Sequence, residues 1–231
     1  MTCNASPRRL RLLDTYCCSG GATRGYQEAG FYVVGVDVAE QPDYCGDEFI
    51  CADAVEFIAK YGHEFDAVHA SPPCQASSAL TKGTNRGRVY PQLIPATRGA
   101  LECTGRPWVM ENVAGAPLRH DLMLCGEMFG LGVIRHRFFE FGGWTMPQPE
   151  HKPHLGRVAG MRHGEWFTGP YYAVYGEGGG KGTVKQWQGA MGISWTSNRK
   201  SIAEAIPPSY AKYIGTYLID AVSSHRIEAV P

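Results

Sequence analysis

The sequence predicts an α/β fold built on a mostly parallel central sheet. Between residues 10 and 112, short apolar segments typical of buried strands alternate with segments of helical periodicity. Acidic or nucleophilic residues follow the ends of several of these strands, which is where functional groups meet in parallel sheets. The chain has 231 residues, which is enough for one such domain with a small insert.

Local patterns predict the individual elements of this fold. Strands are expected where apolar, partly β-branched runs end at an acid, proline or glycine, and helices where apolar residues recur at the helical period. In chain order, these are a strand at 11–16, a turn at 18–21, a helix at 22–29 stopped by Gly30, a strand at 31–36, a helix at 54–61, a strand at 65–70, a helix at 96–103 and a strand at 108–110. This alternation implies parallel β-α-β units.

The second half of the chain has a different character. Residues 142–192 are rich in glycine, proline and aromatic residues and lack long helical periodicity, which indicates an irregular, β-rich insert. Helical periodicity returns at 201–220, interrupted by Pro207 and Pro208. We therefore predict a catalytic and cofactor-binding domain at 1–141, an insert at 142–200, and a closing helix at 201–231 that returns to the first domain.

Composition and charge limit the possible functions. The net charge is zero, so any attraction to nucleic acid must be local. The eight cysteines include no C-x-x-C pair and are expected to be reduced thiols. His151 and His154 have a spacing near that of zinc ligands, but no cysteine pair lies beside them in sequence, so we expect no metal. We see no signal peptide and no apolar run long enough to span a membrane, and we expect a cytoplasmic monomer.

A glycine-rich turn, DTYCCSGGATRG, follows the first strand and opens a helix. Gly20 and Gly21 let the backbone approach a ligand closely, and the helix N-terminus offers N–H groups. Asp37 ends the next strand, the usual place for an acid that binds ribose hydroxyls, and Asp53 could meet an adenine edge. Because a full G-x-G-x-x-G is missing, S-adenosylmethionine is favoured over a nicotinamide cofactor. A plain β-α turn with capping residues is the alternative.

Three further stretches carry candidate catalytic groups. In SPPCQ, two prolines hold Cys74 rigidly just after a strand, as suits a nucleophile, although a buried structural cysteine is the alternative. Glu111 in MENV, if desolvated, would keep its proton and donate to a ring nitrogen; otherwise it is a cap or loop carboxylate. Arg135 and Arg137 alternate in VIRHRFFEF, so on a strand both would face one side and could hold a ring oxygen or phosphate. The alternative is a solvated strand face.

Taken in order, these stretches resemble the DNA cytosine-5 methyltransferase family. The matching stretches are DTYCCSGGATRG, GVDV, CADA, SPPCQ, MENV, RHRFFEF and AIPPSYAKYIG, and they cover residues 10–142 and 200–216. The resemblance implies a Rossmann-like S-adenosylmethionine-dependent methyltransferase fold, S-adenosylmethionine as cofactor and double-stranded DNA as partner. It is closest to a compact member of phage or bacterial restriction-modification type with a reduced target-recognition region.

The resemblance also implies a mechanism. Cys74 would add to C6 of a flipped cytosine so that C5 takes the methyl group. Glu111 would contact N3 and the exocyclic amine, while Arg137 and, less centrally, Arg135 would bind O2. The implied cofactor-binding residues are Asp14, Tyr16, Ser19, Gly20, Gly21, Asp37, Val38, Asp53, Ala54, Pro72 and Glu204. The implied DNA-binding residues are Gln75, Ser77, Lys82, Arg86, Arg88, Lys181 and Lys185.

Two positions depart from the family pattern near the cofactor. Cys18 stands where the turn usually has a glycine, and Ala203-Glu204 replaces a glycine–asparagine pair. Glu204 would change the electrostatics there, which leaves an altered S-adenosylmethionine as a minor alternative.

The insert at 142–200 takes the place of a larger target-recognition domain. It has seven Lys or Arg and three Glu, hence a net charge of +4, interleaved with aromatic residues that could contact DNA or form a small core. We expect a recognition site of roughly two to four base pairs. Single-stranded nucleic acid, RNA or a free cytosine nucleotide are alternative substrates, and a non-catalytic DNA-binding protein is the alternative to an enzyme.

Overall fold

A seven-stranded sheet organises the chain in the computed structural model, which describes residues 8–73, 93–162, 165–176 and 182–228. The described strands are β1 Arg11–Thr15, β2 Tyr32–Asp37, β3 Glu48–Cys51, β4 Ala67–Ala70, β5 Trp108–Asn112, β6 Leu122–Leu124, β7 Arg137–Gly142, β8 Gly160–Arg162 and β9 Glu165–Phe167. The described α-helices are α1 Gly21–Ala29, α2 Ala54–Tyr61, α3 Leu93–Cys103, α4 Val184–Met191, α5 Arg199–Glu204 and α6 Pro208–Glu228.

The order of strands in the sheet is β3-β2-β1-β4-β5-β7-β6. The first five strands in this order are parallel, β7 is antiparallel to β5, and β6 at the edge is antiparallel to β7. The chain builds outward from β1 to β3 and then places β4 on the other side of β1. The strand order therefore reverses between β1 and β4, which is the position where open α/β sheets bind ligands.

Alternating side chains place an apolar core on each face of the sheet. Leu12 and Val33 pack on one face, while their neighbours Leu13 and Val34 pack on the other. Tyr26 of α1 and Ile214 of α6 join the first core. Ile58 of α2 and Leu101 of α3 join the second. The result is a three-layer α/β/α arrangement, because both faces of a mainly parallel sheet are covered by helices.

A third, smaller core lies outside the sheet. It contains Trp187 and Met191 of α4, Ile202 of α5, and Val133 and Val174 from loops. Trp187 is fully buried, and the guanidinium of Arg199 lies 4.7 Å from its ring centre. Part of the insert thus packs on itself and on the segment that leads into β7.

The predicted α/β class with a mostly parallel sheet is confirmed, and several boundaries agree closely. α2 has the predicted bounds, and α1 ends at Gly30, whose φ of 116° is left-handed. The helical pattern near the C-terminus is divided at Pro207, and α6 begins at Pro208, where a missing N–H costs nothing. β3, β6 and α4 were not predicted.

The longest described helix is α6, and no helix in the described ranges has an apolar stretch that would reach across a membrane.

Candidate active site

The carboxyl ends of β1, β2, β4 and β5 open into one cleft of about 750 Å³. Residues on both sides of the point where the strand order reverses line this cleft, together with the segment between α5 and α6. The predicted site residues that line this cleft are Asp14, Tyr16, Gly21, Asp37, Val38, Pro72, Glu111, Arg135, Arg137 and Glu204. The structure therefore brings most of the predicted cofactor residues into one cleft with Glu111, Arg135 and Arg137.

The glycine-rich turn has a left-handed backbone at three places, and two of them are not glycine. Tyr16 has a φ of 58°, Cys18 of 45° and Gly20 of 89°. The backbone N–H of Cys18 donates to Asp37 Oδ2 at 3.0 Å, which fixes the turn against the end of β2. The left-handed φ explains why a glycine would suit position 18, since a side chain there costs about 1 kcal/mol.

Gly21 is required by close packing. A Cβ at this position would lie 2.4 Å from the carbonyl oxygen of Ile206. The segment between α5 and α6, which we call the closing segment, therefore lies directly on the N-terminus of α1. Both of them bound the cleft.

Asp14 is buried at the end of β1 and has an unusual protonation equilibrium. It is 1% exposed and accepts a hydrogen bond of 2.5 Å from the Thr23 hydroxyl. Burial raises the pKa of Asp14 from 3.8 to about 7, against the lowering effect of Thr23. At neutral pH this carboxyl group is thus poised between its two forms.

Glu111 and Arg137 form an ion pair inside the cleft. Arg137 Nε lies 2.8 Å from Glu111 Oε1, and the two residues reach each other because β5 and β7 are paired in the sheet. Glu111 is 6% exposed. Burial raises its pKa, against the lowering effects of Arg137 and Arg135, and the net shift is upward. The sequence-based expectation of a desolvated acid is consistent with this direction.

Arg135 does not share a strand with Arg137, and this part of the prediction was wrong. β7 begins only at Arg137, because the Tyr210 hydroxyl binds the carbonyl of Arg135 at 2.6 Å and draws the preceding chain toward α6. The Arg135 guanidinium donates to the carbonyls of Val174, Ala203 and Ala205. It thus ties the insert to the closing segment while still lining the cleft.

Asn112 was not singled out from the sequence, yet it joins two of the motifs. Its Nδ2 donates to the carbonyl of Pro72 at 2.9 Å in a buried position. Its Oδ1 accepts from the backbone N–H of Val113. Asn112 therefore holds the prolines that precede Cys74 beside Glu111. Its place directly after Glu111 in MENV was the available signal.

A buried polar chain behind Glu111 was also missed. The two ring nitrogens of His69 lie 2.9 Å from the Tyr26 hydroxyl and 2.9 Å from Ser71 Oγ. Burial lowers the pKa of His69 to about 3, so the ring is neutral at pH 7. Ser71 in turn hydrogen bonds Glu111. A histidine within an apolar strand, His69 in AVHA, could have indicated such a chain.

The remaining predicted cofactor residues lie in the turns that frame the cleft rather than among its lining residues. Asp53 is the N-cap of α2 and accepts from the backbone N–H of Glu56 at 2.9 Å, with Ala54 buried behind it. Ser19 is buried, and its carbonyl accepts from Trp195 Nε1 at 2.8 Å. Gly20 has Cys45 close beside it. Capping is thus the role that the geometry gives Asp53.

Several predicted residues lie outside the described ranges. They are Cys74, Gln75, Ser77, Lys82, Arg86, Arg88 and Lys181. Lys185 is exposed on α4. Of the aromatic residues in the insert, Trp187 and Tyr171 are buried, whereas Tyr175 is 44% exposed and lines the cleft.

Comparison with known proteins identifies the fold in which this cleft occurs. Neither a scan against protein-family models nor a search of curated proteins found a match. Among solved structures, a prophage-encoded E. coli protein considered a DNA modification methyltransferase aligns with a TM-score of 0.60 at 12% identity, over 93% of this chain and 99% of that one. The Dnmt2 methyltransferase of S. pombe aligns with a TM-score of 0.62 at 13% identity, over 92% of this chain and 99% of that one.

The chain has the Rossmann-like fold of S-adenosylmethionine-dependent methyltransferases. The alignments cover 92–93% of this chain and 99% of each neighbour, so the likeness is not confined to the central sheet.

Proposed function

We propose that this protein transfers a methyl group from S-adenosylmethionine to C5 of cytosine in double-stranded DNA. The observation that carries the proposal is the Glu111–Arg137 ion pair, buried in the same cleft as the glycine-rich turn and Asp37. The two side chains match the edge of cytosine: the guanidinium donates to O2, and the carboxyl group donates to N3 once it takes up a proton on release from Arg137.

The turn fits the proposed cofactor. Gly21 and Ala22, the first residues of α1, line the cleft, so the N-terminus of this helix lies beside the place proposed for the cofactor. Ser19 Oγ is buried and has no hydrogen-bond partner among the described residues. Asp37 lies at the end of β2, where it can accept from ribose hydroxyls. When bound, S-adenosylmethionine supplies the methyl group as an electrophile.

The protein's own residues would activate the base in two ways. The Cys74 thiolate adds to C6, which places electron density on C5 and lets C5 form the new bond to the methyl carbon. Glu111, whose pKa is raised by burial, contacts N3 and the exocyclic amine and stabilises the adduct, while Arg137 binds O2. Loss of the C5 proton and departure of the thiolate then restore the ring. Since C6 is inaccessible in a stacked duplex, the base must be flipped into the cleft.

Covalent trapping tests the proposal. Duplex DNA with 5-fluorocytosine at every cytosine of one strand keeps a fluorine where the departing proton would be, so the adduct cannot resolve. We expect a protein–DNA complex stable to denaturation, formed only with S-adenosylmethionine. Cys74→Ser abolishes it, and Glu111→Gln slows its formation by about 100-fold or more. Cys103→Ser and Glu102→Gln, both at exposed positions of α3, serve as matched controls and keep the wild-type rate.

The substrate class is tested in parallel arms. Single-stranded DNA, RNA and a free nucleotide carrying the same fluorinated base are compared with the duplex. A faster reaction on any of these reassigns the substrate and keeps the chemistry. A complex that survives Cys74→Ser, or none with any substrate, refutes the covalent mechanism.

A further inference from the structure

Four potential metal ligands converge at the start of β7, next to Arg137. Cys125 directly follows β6, His136 directly precedes β7, and His151 and His154 belong to the loop after β7. One potential ligand atom from each of the four lies within 4.8 Å of the other three. His136 Nε2 and His151 Nε2 are 3.4 Å apart. Cys125 is fully buried and the three imidazoles are partly buried.

The carboxylate of Glu127 orients His154, one of these four ligands. Its Oε2 lies 2.6 Å from His154 Nδ1, and its Oε1 accepts from the backbone N–H of Leu155 at 2.9 Å. The Tyr171 hydroxyl also hydrogen bonds this carboxylate. With Nδ1 held by Glu127, His154 presents Nε2 to the other ligands. A carboxylate on the distal nitrogen is a regular feature of metal-bound histidines, because it fixes the tautomer and the ring orientation.

We propose that Cys125, His136, His151 and His154 bind one structural Zn²⁺ ion. A thiolate and three imidazoles are a nitrogen-and-sulfur set that suits tetrahedral zinc. With Zn–N bonds of about 2.0–2.1 Å, two tetrahedral nitrogen ligands lie roughly 3.4 Å apart. His136 and His151 have this separation. The ligand atoms of Cys125 and His154 lie within 4.8 Å of these two, and binding of the ion would draw them closer. Because all four ligands come from the protein, the site is closed and has no position for a substrate.

This assignment replaces the expectation of a metal-free protein. The sequence argued against zinc because no cysteine pair accompanies His151 and His154. The fold supplies the sulfur from Cys125, earlier in the chain, because β6 and β7 are antiparallel and the end of β6 lies beside the start of β7, with Leu124 opposite Arg137.

The ion would fix the segment that carries the catalytic arginine. His136 lies between Arg135 and Arg137, and the site joins the β6–β7 hairpin to the loop that begins the insert. Zinc would therefore act as a cross-link between the catalytic sheet and the insert. This role does not depend on which reaction the cleft performs.

Metal content and a cobalt spectrum test the proposal. The full chain is purified through a tag without histidine and analysed by elemental mass spectrometry. We expect about one zinc per chain, removal by a strong chelator with a lower Tm, and restoration of the Tm by Zn²⁺. Co²⁺ added to the stripped protein should give the intense visible bands of a tetrahedral site and a thiolate-to-cobalt charge-transfer band.

Matched variants decide which residues bind the ion. Cys125→Ser should remove the charge-transfer band and at least weaken zinc binding about 10-fold, whereas Cys103→Ser should keep both. His154→Ala should lower bound zinc, whereas His63→Ala, at an exposed position, should not. If Cys125→Ser does not fold, the wild-type cobalt spectrum still decides. A wild-type protein that takes up neither zinc nor cobalt, or binds cobalt without a thiolate band, overturns the proposal. The cluster is then a set of imidazoles joined by hydrogen bonds.

Discussion

Asp14 and Glu111 are two buried carboxyl groups in one cleft, and their different surroundings suit them to different roles. Burial raises the pKa of both Asp14 and Glu111. Glu111 has two arginines beside it, so its charged form is partly compensated and a base could share the pair. Asp14 has the Thr23 hydroxyl as its nearest partner and keeps most of the cost of burial. The first is therefore suited to catalysis, and the second to a pH-dependent contribution to stability.

Asp14→Asn tests that contribution. The pKa of Asp14 is about 7 in the folded protein and near 3.8 when unfolded, so between these values the folded state holds a proton that the unfolded state has lost. The stabilisation is complete below pH 4 and is lost as pH rises through 7, by on the order of 4 kcal/mol. Asp14→Asn should lack this loss, so the free energy of unfolding of the variant should rise relative to that of wild type between pH 4 and pH 8.

Urea titrations at several pH values measure the difference. Comparing variant with wild type removes the contribution of His69, whose lowered pKa gives the opposite slope. Asp220→Asn, at an exposed position of α6, is the control and should follow wild type at every pH. An Asp14→Asn difference that does not change with pH would contradict the raised pKa.

At the scale of elements, the closest packing is between α1 and α6. Glycines on both helices let their backbones approach, and the carbonyl of Pro208 faces Gly25 directly. This contact positions the closing segment on the glycine-rich turn, because Ile206 lies just before α6. The shape of the cleft therefore depends on a helix pair that contains none of the residues proposed to act on the base.

Gly25→Ala should destabilise the protein by about 3 kcal/mol. The added Cβ would lie 2.1 Å from the carbonyl oxygen of Pro208 and 2.8 Å from Ala211 Cβ, so one helix must shift. Gly99→Ala in α3 is the matched control, since its Cβ would have no atom within 4 Å. It should be neutral or stabilising by up to about 1 kcal/mol. Denaturant unfolding measures both, and equal effects would show that helix packing is not the cause.

At the scale of the whole molecule, the insert is attached to the sheet domain near its C-terminal end and uses part of its apolar surface for its own small core. Trp195 binds the carbonyl of Ser19, and the Thr196 hydroxyl binds Asp43 Oδ2 at 2.7 Å. Trp187 is fully buried in the small third core. These aromatic residues stabilise the insert, so fewer remain to contact base edges than their number in the sequence indicates.

Because few aromatic residues of the insert remain to contact base edges, we expect a short recognition sequence. Bisulfite sequencing of DNA methylated in vitro by the purified protein should give a consensus of roughly two to four base pairs, since each contacted base supplies about 1–3 kcal/mol of discrimination. DNA incubated with Cys74→Ser serves as the background. A strict six-base consensus would show that the insert reads more of the duplex than we expect.

The sequence by itself determined the α/β class, the glycine-rich turn and the order of the candidate motifs. It could do so because strand and helix periodicity, and the turns that glycine and proline favour, depend only on residues that are neighbours in the sequence. β3 and β6 escaped because their short segments are stabilised by strand pairing rather than by their own periodicity. α4 carried a local signal that was missed, namely the capping box of Thr183 and Gln186 and the C-cap Gly192. Only the tertiary structure decided which side chains meet. It paired Glu111 with Arg137, turned Arg135 toward backbone carbonyls, and gathered Cys125 with three histidines. Such contacts join distant parts of the chain, and they are set by sheet register and helix packing rather than by local sequence.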